Sequence, residues 1–222
     1  VNAGGSAAKS GTLEMKQYTS GEMMRTRNFY LLLATMFFGL ISYFMVSPVS
    51  QTYQIDLGIP SAVAVSAVML GSIVNAGARL VLPTLADKVG RIVCIKGVLI
   101  VAVIAMGVLA VSRSLAVTVA VVLMYGCYGG IMGSFPSLTS SIFGMKHTGE
   151  NYGFVMFGIV FATFGAPAIS GLVNVVFGIG AVFAVIALVC LTLLGRNLVK
   201  EHAEKSAGVK NDTAQVSKPQ AE

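Results

Sequence analysis

Six stretches of about twenty apolar residues, set apart by short polar connections, constrain this 222-residue chain more than any other feature. They fall near residues 29–50, 61–82, 93–111, 116–140, 151–173 and 177–195. About 20 helical residues cross the roughly 30 Å of hydrocarbon in a bilayer. The stretches are continuously apolar, not alternating, and a backbone in lipid must satisfy its own hydrogen bonds, so helices are expected and a barrel is not. Composition agrees: 55% of residues are hydrophobic and 11% charged, against about 45–50% and about 25% in a soluble domain. Mean hydropathy is +0.82. The expected fold class is therefore an all-α integral membrane protein of six transmembrane helices.

Charge fixes the expected orientation. With the N-terminus inside, the inner segments hold Lys9, Lys16, Arg25 and Arg27, then Lys88, Arg91 and Lys96, then Lys146, and finally Arg196, Lys200, Lys205, Lys210 and Lys218. That is thirteen of the fifteen basic residues, with only Arg113 outside and Arg79 inside a span. The positive-inside rule then places both termini in the cytoplasm. The net charge of +6 is thus read as membrane orientation, and no nucleic-acid partner is expected.

Arg79 is the formal charge set deepest in the apolar runs, within "NAGARLVLPTLADKVGR" from Asn75. An arginine at such depth costs at least about 2.5–3.5 kcal/mol by insertion scales, so a functional, inward-facing role is the leading reading. The other reading is snorkelling to the headgroups. Eight residues at about 1.5 Å each separate it from Asp87 by roughly 12 Å, which is far for that. Below it, Asp87, Lys88, Gly90 and Arg91 form an abrupt polar turn in which Gly90 permits tight chain reversal and Asp87 can pair with Arg91. Tyr43, mid-span in the first run, and Tyr125 and Tyr128, three apart in the fourth, offer hydroxyls and apolar walls either to an anion or to the core. Gly126, Gly129, Gly130 and Gly133 have the spacing of close helix packing.

Other chemistries find no support in the residues. Cys94, Cys127 and Cys190 lie in or beside apolar runs without metal-ligand spacing and read as packing residues, so no metal or cofactor is expected. No His-Glu-x-x-His and no nucleophile with its base occurs, so the chain is not expected to be an enzyme. A six-helix channel or structural membrane protein stays open beside a transporter.

"PTLADKVGR" resembles the cytoplasmic-loop signature of the major facilitator superfamily, with Asp87, Lys88, Gly90 and Arg91 matching, while Pro83 and Ile92 depart from it. "YTSGEMMRTRNFYLL", "NAGARLVLPTLADKVGR" and "YGCYGGIMGSFPSLTSSIFGMKHTGENYGF" together resemble the oxalate/formate antiporters and their monocarboxylate-transporter-like relatives. The resemblance implies one half of the superfamily fold: helices seven to twelve, as two inverted three-helix repeats. It also implies a missing N-terminal six-helix half as partner. Arg79 matches the arginine that binds the substrate carboxylate, with Asn75 one turn away to orient it or to contact substrate. Asp87, Gly90 and Arg91 match a conformational latch. A lysine that oxalate antiporters carry in the eleventh helix falls near Ile159, so the implied cargo is a small organic anion, a monocarboxylate before a dianion, moved by antiport or facilitated exchange.

Residues 1–27 then read as a polar cytoplasmic linker, 28–196 as the transmembrane bundle and 197–222 as a disordered cytoplasmic tail. The chain reads as a fragment or processed piece. The setting implied by the family is a cell membrane, plasma or bacterial inner.

Overall fold

The computed structural model describes residues 16–170 and 176–216, and every regular element among them is helical. In chain order these are α1 (Ser20–Met24), α2 (Arg27–Val46), α3 (Ser50–Asp56), α4 (Ser61–Val89), α5 (Arg91–Val111), α6 (Ala116–Phe143), α7 (Thr148–Val155), α8 (Phe157–Ser170) and α9 (Val176–Val216). Five helices among the described residues are long and apolar enough to span a membrane: α2, α4, α5, α6 and the Val176–Glu201 part of α9.

Local chemistry explains where the helices begin and end. Thr26 caps α2, its side chain accepting from the Phe29 amide at 3.3 Å. Pro48 lies beyond the end of α2 and Pro60 stands at the N-cap of α4, where fixed φ and a missing N–H suit a boundary. The predicted polar loop after the second span shrinks to one residue. Helix α4 continues through Pro83 to Val89, and Gly90, at φ +103°, closes it and opens α5. Asp87 and Lys88 therefore belong to the last turn of α4. Pro136 likewise lies within α6, which ends at Gly144 with φ +87°. In a membrane bundle such interior prolines are tolerated because neighbours and local adjustment satisfy the freed carbonyl.

Two expectations need correction. The fifth predicted span, 151–173, is two helices, α7 and α8, joined at Met156; its last residues, 171–173, lie outside the described range. Met156 has ψ −14°, its amide reaches Tyr152 O at 2.9 Å, and its carbonyl accepts from Ile159 at 3.0 Å as well as Val160 at 3.4 Å, a one-residue tightening that interrupts the regular helix. Helix α9 also runs past the apolar segment, as far as Val216, where a disordered tail from 197 is expected. Its Lys, Glu, Ala and Gln content is that of good helix formers.

The core is built by α2, α5, α6 and α9. Leu32, Met36 and Leu40 of α2, Ile95, Leu99 and Met106 of α5, Phe135 of α6 and Leu191 of α9 are fully buried. Helix α2 packs on α8 and α9, α5 on α6 and α9, and α4 chiefly on α6. Gly90 and Gly144 mark one end of the bundle, called here the charged end, where α4 and α6 finish and α2, α5 and α7 begin.

Candidate functional site

The α4–α6 contact is set by the glycines of α6. A Cβ at Gly129 would collide with the Asn75 carbonyl, one at Gly133 would stand 2.7 Å from the Arg79 carbonyl oxygen, and one at Gly126 2.9 Å from Val74. Missing side chains thus let the two backbones approach closely, as small residues do between membrane helices. The close approach puts Asn75 and Arg79 beside the tyrosines of α6.

Arg79 Nε donates to Asn75 Oδ1 at 3.2 Å, across one turn of α4. Its guanidinium carbon lies 5.4 Å from the Tyr128 ring centroid, within cation–π range. Tyr128 in turn stacks on Tyr43, with centroids 4.2 Å apart and planes 11° from parallel. Tyr43 meets Tyr125 edge to face at 5.3 Å and 85°. All five residues singled out in the sequence for an anion site therefore form one connected group. The terminal guanidinium nitrogens of Arg79 have no hydrogen-bond partner among the described residues. They present the planar donor pair that suits a carboxylate.

The environment of Arg79 differs from the expected one. It is exposed on the face of α4, not enclosed by the bundle, and only 11% of the apolar window of α4 is buried. Helices α3, α5 and α6 cover one side of α4 and leave the other open. Tyr43 sits three residues from the end of α2 instead of mid-span, and Tyr125, only 7% exposed, forms a wall behind Tyr43.

Sequence reasoning missed three residues that complete this group. Ser47 donates to the Tyr43 hydroxyl at 3.4 Å, and Ser50 shares a 3.5 Å contact with the Tyr125 hydroxyl. Tyr152 of α7 lies within electrostatic reach of both Arg79 and Tyr128. Ser47 lies one helical turn after Tyr43 at the end of α2, a spacing the sequence does carry, whereas Ser50 and Tyr152 acquire their neighbours only when separate helices pack.

At the charged end, Arg91 Nη2 donates to Asp87 Oδ1 at 3.1 Å across the Gly90 turn. The pair is partly solvent-exposed, so its direct worth is about 0–1 kcal/mol. Arg91 Nε, by contrast, is buried without a partner. A cavity of about 530 Å³ adjoins the pair, lined by Asp87, Arg91, Ser141 and Gly195 among others, and gives it room to rearrange. A second cavity of about 400 Å³, between α4, α5 and α6, is walled by apolar side chains with Cys94 and Cys127. Neither touches Arg79. The Cys94 thiol donates to Leu82 O and the Cys127 thiol to Val98 O, and no His, Cys, Asp or Glu cluster suited to a metal occurs among the described residues.

Comparison with known proteins agrees with this architecture. The chain is 32% identical over 146 residues to YhjX of Escherichia coli K12, an uncharacterised MFS-type transporter, a match covering 64% of this chain and 36% of that protein. It is 28% identical over 142 residues to the oxalate:formate antiporter of Oxalobacter formigenes, covering 63% of this chain and 34% of that protein. The matched region spans about a third of the length of each relative. Residues 4–164 match the Major Facilitator Superfamily. With five apolar membrane-length helices and an all-helical fold, the chain belongs to the Major Facilitator Superfamily of transporters.

Proposed function

We propose that the chain is the C-terminal six-helix half of a secondary active transporter that moves a small organic anion, a monocarboxylate in preference to a dianion, by alternating access. One observation carries the reading: the Arg79 guanidinium is held by Asn75 and the Tyr128 ring on an open helix face, with its terminal donors free for a ligand. An arginine so placed is the usual mark of an anion site within a membrane. The missing N-terminal half would close the other wall, which fits both the bare face of α4 and a match to only a third of each relative.

The printed activity of one relative, oxalate:formate exchange, supports carboxylates as the cargo class. The monoanion is preferred because no Lys or Arg occurs between Thr148 and Ser170, so this half meets a dianion with a single deep cation. Asn75, an uncharged amide, stands where a titrating carboxylate would be needed for proton coupling in this half. Exchange of anions or facilitated passage follows. Orientation with both termini in the cytoplasm, in a plasma or bacterial inner membrane, completes the reading, and the Asp87–Arg91 pair serves as a conformational latch outside the pathway.

The test is Arg79→Lys in the complete transporter. Replacing the planar fork by a point charge should cut formate binding and uptake by about ten- to a hundredfold, the worth of one lost charge-assisted hydrogen bond, with membrane expression unchanged. Unaltered affinity and uptake would remove Arg79 from the site.

A further inference from the structure

The segment just before α2 is tied at several points to the end of α6 and the start of α7. The Tyr18 amide donates to Phe143 O at 2.9 Å, and Gln17 Oε1 accepts from the Lys146 amide at 2.9 Å. The Tyr18 ring stands edge to face on Phe143 at 5.8 Å, and Met23 is fully buried. Asn151, in the first turns of α7, is also fully buried, and both halves of its carboxamide face the segment. Its Nδ2 donates to Tyr18 O at 3.0 Å, while Oδ1 accepts from Ser20 Oγ at 3.1 Å. A buried carboxamide that loses both partners keeps the cost of its desolvation with no bond to offset it. Undocking of the segment and a fixed position of α7 are therefore in conflict.

Helix α7 has the means to respond. It is only eight residues long, it is divided from α8 at Met156, and a Cβ at Gly149 or Gly153 would meet nothing within 4 Å. Gly149 and Gly153 lie on its open face, and its buried side is held by α6, α2, α8 and the docked segment. It also carries Tyr152, the residue after Asn151, into the electrostatic neighbourhood of Arg79 and Tyr128.

We propose that residues 17–23 are a strap that locks α7 in place through Asn151, and that release of the strap frees α7 to turn about Met156. On the carboxylate-transporter reading, this links the connection between the two halves to one wall of the anion site. The lock itself does not depend on that reading.

The experiment uses the full chain in nanodiscs, where both faces are accessible, with Cys94, Cys127 and Cys190 replaced by serine and one reporter cysteine added. Met23→Cys reports docking of the strap and Val155→Cys, at a fully buried position of α7, reports α7 itself. Labelling by a charged maleimide is compared with and without Asn151→Ala or Tyr18→Ala. Both reporters should react at least about tenfold faster in either variant, the effect of losing one buried hydrogen-bonding set. Leu99→Cys, deep in α5, should stay protected and so exclude general unfolding. If it does not, Gln17→Ala, which removes the acceptor of the Lys146 amide, replaces the harsher variants. A Met23→Cys reporter that labels equally fast with the strap intact overturns the docking. Faster labelling of the Met23→Cys reporter while the Val155→Cys reporter stays unchanged overturns the lock. No readout needs a substrate, so failure of the strap and failure of the carboxylate reading are told apart.

Discussion

Helices α2 and α4 read alike in sequence and differ in the molecule. Their apolar windows have mean hydropathies of 2.0 and 1.6, yet 56% of the first is buried inside the bundle and 11% of the second. Leu32, Met36 and Leu40 of α2 are fully buried, whereas Ile73 and Leu80 of α4 are 69% and 75% exposed. Helix α2 is gripped by α8 and α9, α4 chiefly by α6. Hydropathy alone does not separate a side chain that faces the bundle from one that faces lipid or another domain, because lipid tails are as apolar as leucine. The helix least enclosed by its own bundle is the one that carries Arg79, so the comparison bears on the proposed anion site as well as on packing.

The most severe way to test the contrast is to remove volume from each kind of position. Leu99→Ala, at a fully buried site between α5 and its neighbours, should cost about 2–4 kcal/mol through lost contacts and a residual void. Leu80→Ala, on the open face of α4, should stay within about 0.5 kcal/mol. Unfolding midpoints in one detergent decide the matter, and equal losses would mean that α4 is enclosed after all.

The main grip on α4, by α6, gives the next largest effect. Gly129→Ala drives a methyl into the Asn75 carbonyl, with Asn75 Oδ1 also 2.7 Å away, so α4 must shift. Overpacking of this kind costs about 1–3 kcal/mol, and here it also displaces the backbone that carries Arg79. Gly97→Ala in α5, where a Cβ meets nothing within 4 Å, is the matched control and should be neutral. Equal thermal stability for the two variants would break the argument that glycine spacing on α6 positions the site.

These contrasts also mark what the sequence could reveal. Long apolar runs, Gly90 as a turn and the depth of Arg79 depend on residues near one another in the chain, so periodicity and residue chemistry expose them. The Tyr43–Tyr128 stack joins residues in different helices, and one-dimensional spacing carries no trace of it. The same holds for the docking of residues 17–23, read from composition as plain linker because their partners stand about 130 positions away. The break at Met156 was hidden for another reason: the stretch around it is apolar enough to pass for one helix, and no Pro or Gly occupies the joint itself.

A smaller effect is expected at the Asp87–Arg91 turn. Asp87→Asn removes one partner of an exposed pair, so stability should fall by no more than about 1 kcal/mol. Turnover or the balance between inward- and outward-open states should change more than substrate affinity, since neither residue lies near Arg79 in the chain's hydrogen-bond network. A large affinity loss with unaltered conformational populations would count against a latch and draw the turn into the same functional group as α4.

The smallest effect belongs to the strap, and pH reads it. Glu22 closes a capping box with Thr19: the Thr19 amide donates to its carboxylate at 2.9 Å and the Thr19 hydroxyl at 3.0 Å. Those bonds, the amide first, with attraction from Lys16 beyond them, hold the Glu22 carboxyl below its ordinary value of 4.5. A carboxylate lowered by folding stabilises the folded form above its unfolded value, and that contribution disappears as pH falls through the lower folded value. Glu22→Gln should therefore speed amide exchange in Ser20–Met24 by a small factor at pH 7, and wild type and variant should converge as the pH falls below 4.5. Comparing both proteins at each pH cancels the intrinsic pH dependence of exchange. A difference that persisted undiminished into strong acid would show that the Glu22 charge does not hold the cap, leaving the strap dependent on the Tyr18 ring, the buried Met23 and the Asn151 carboxamide.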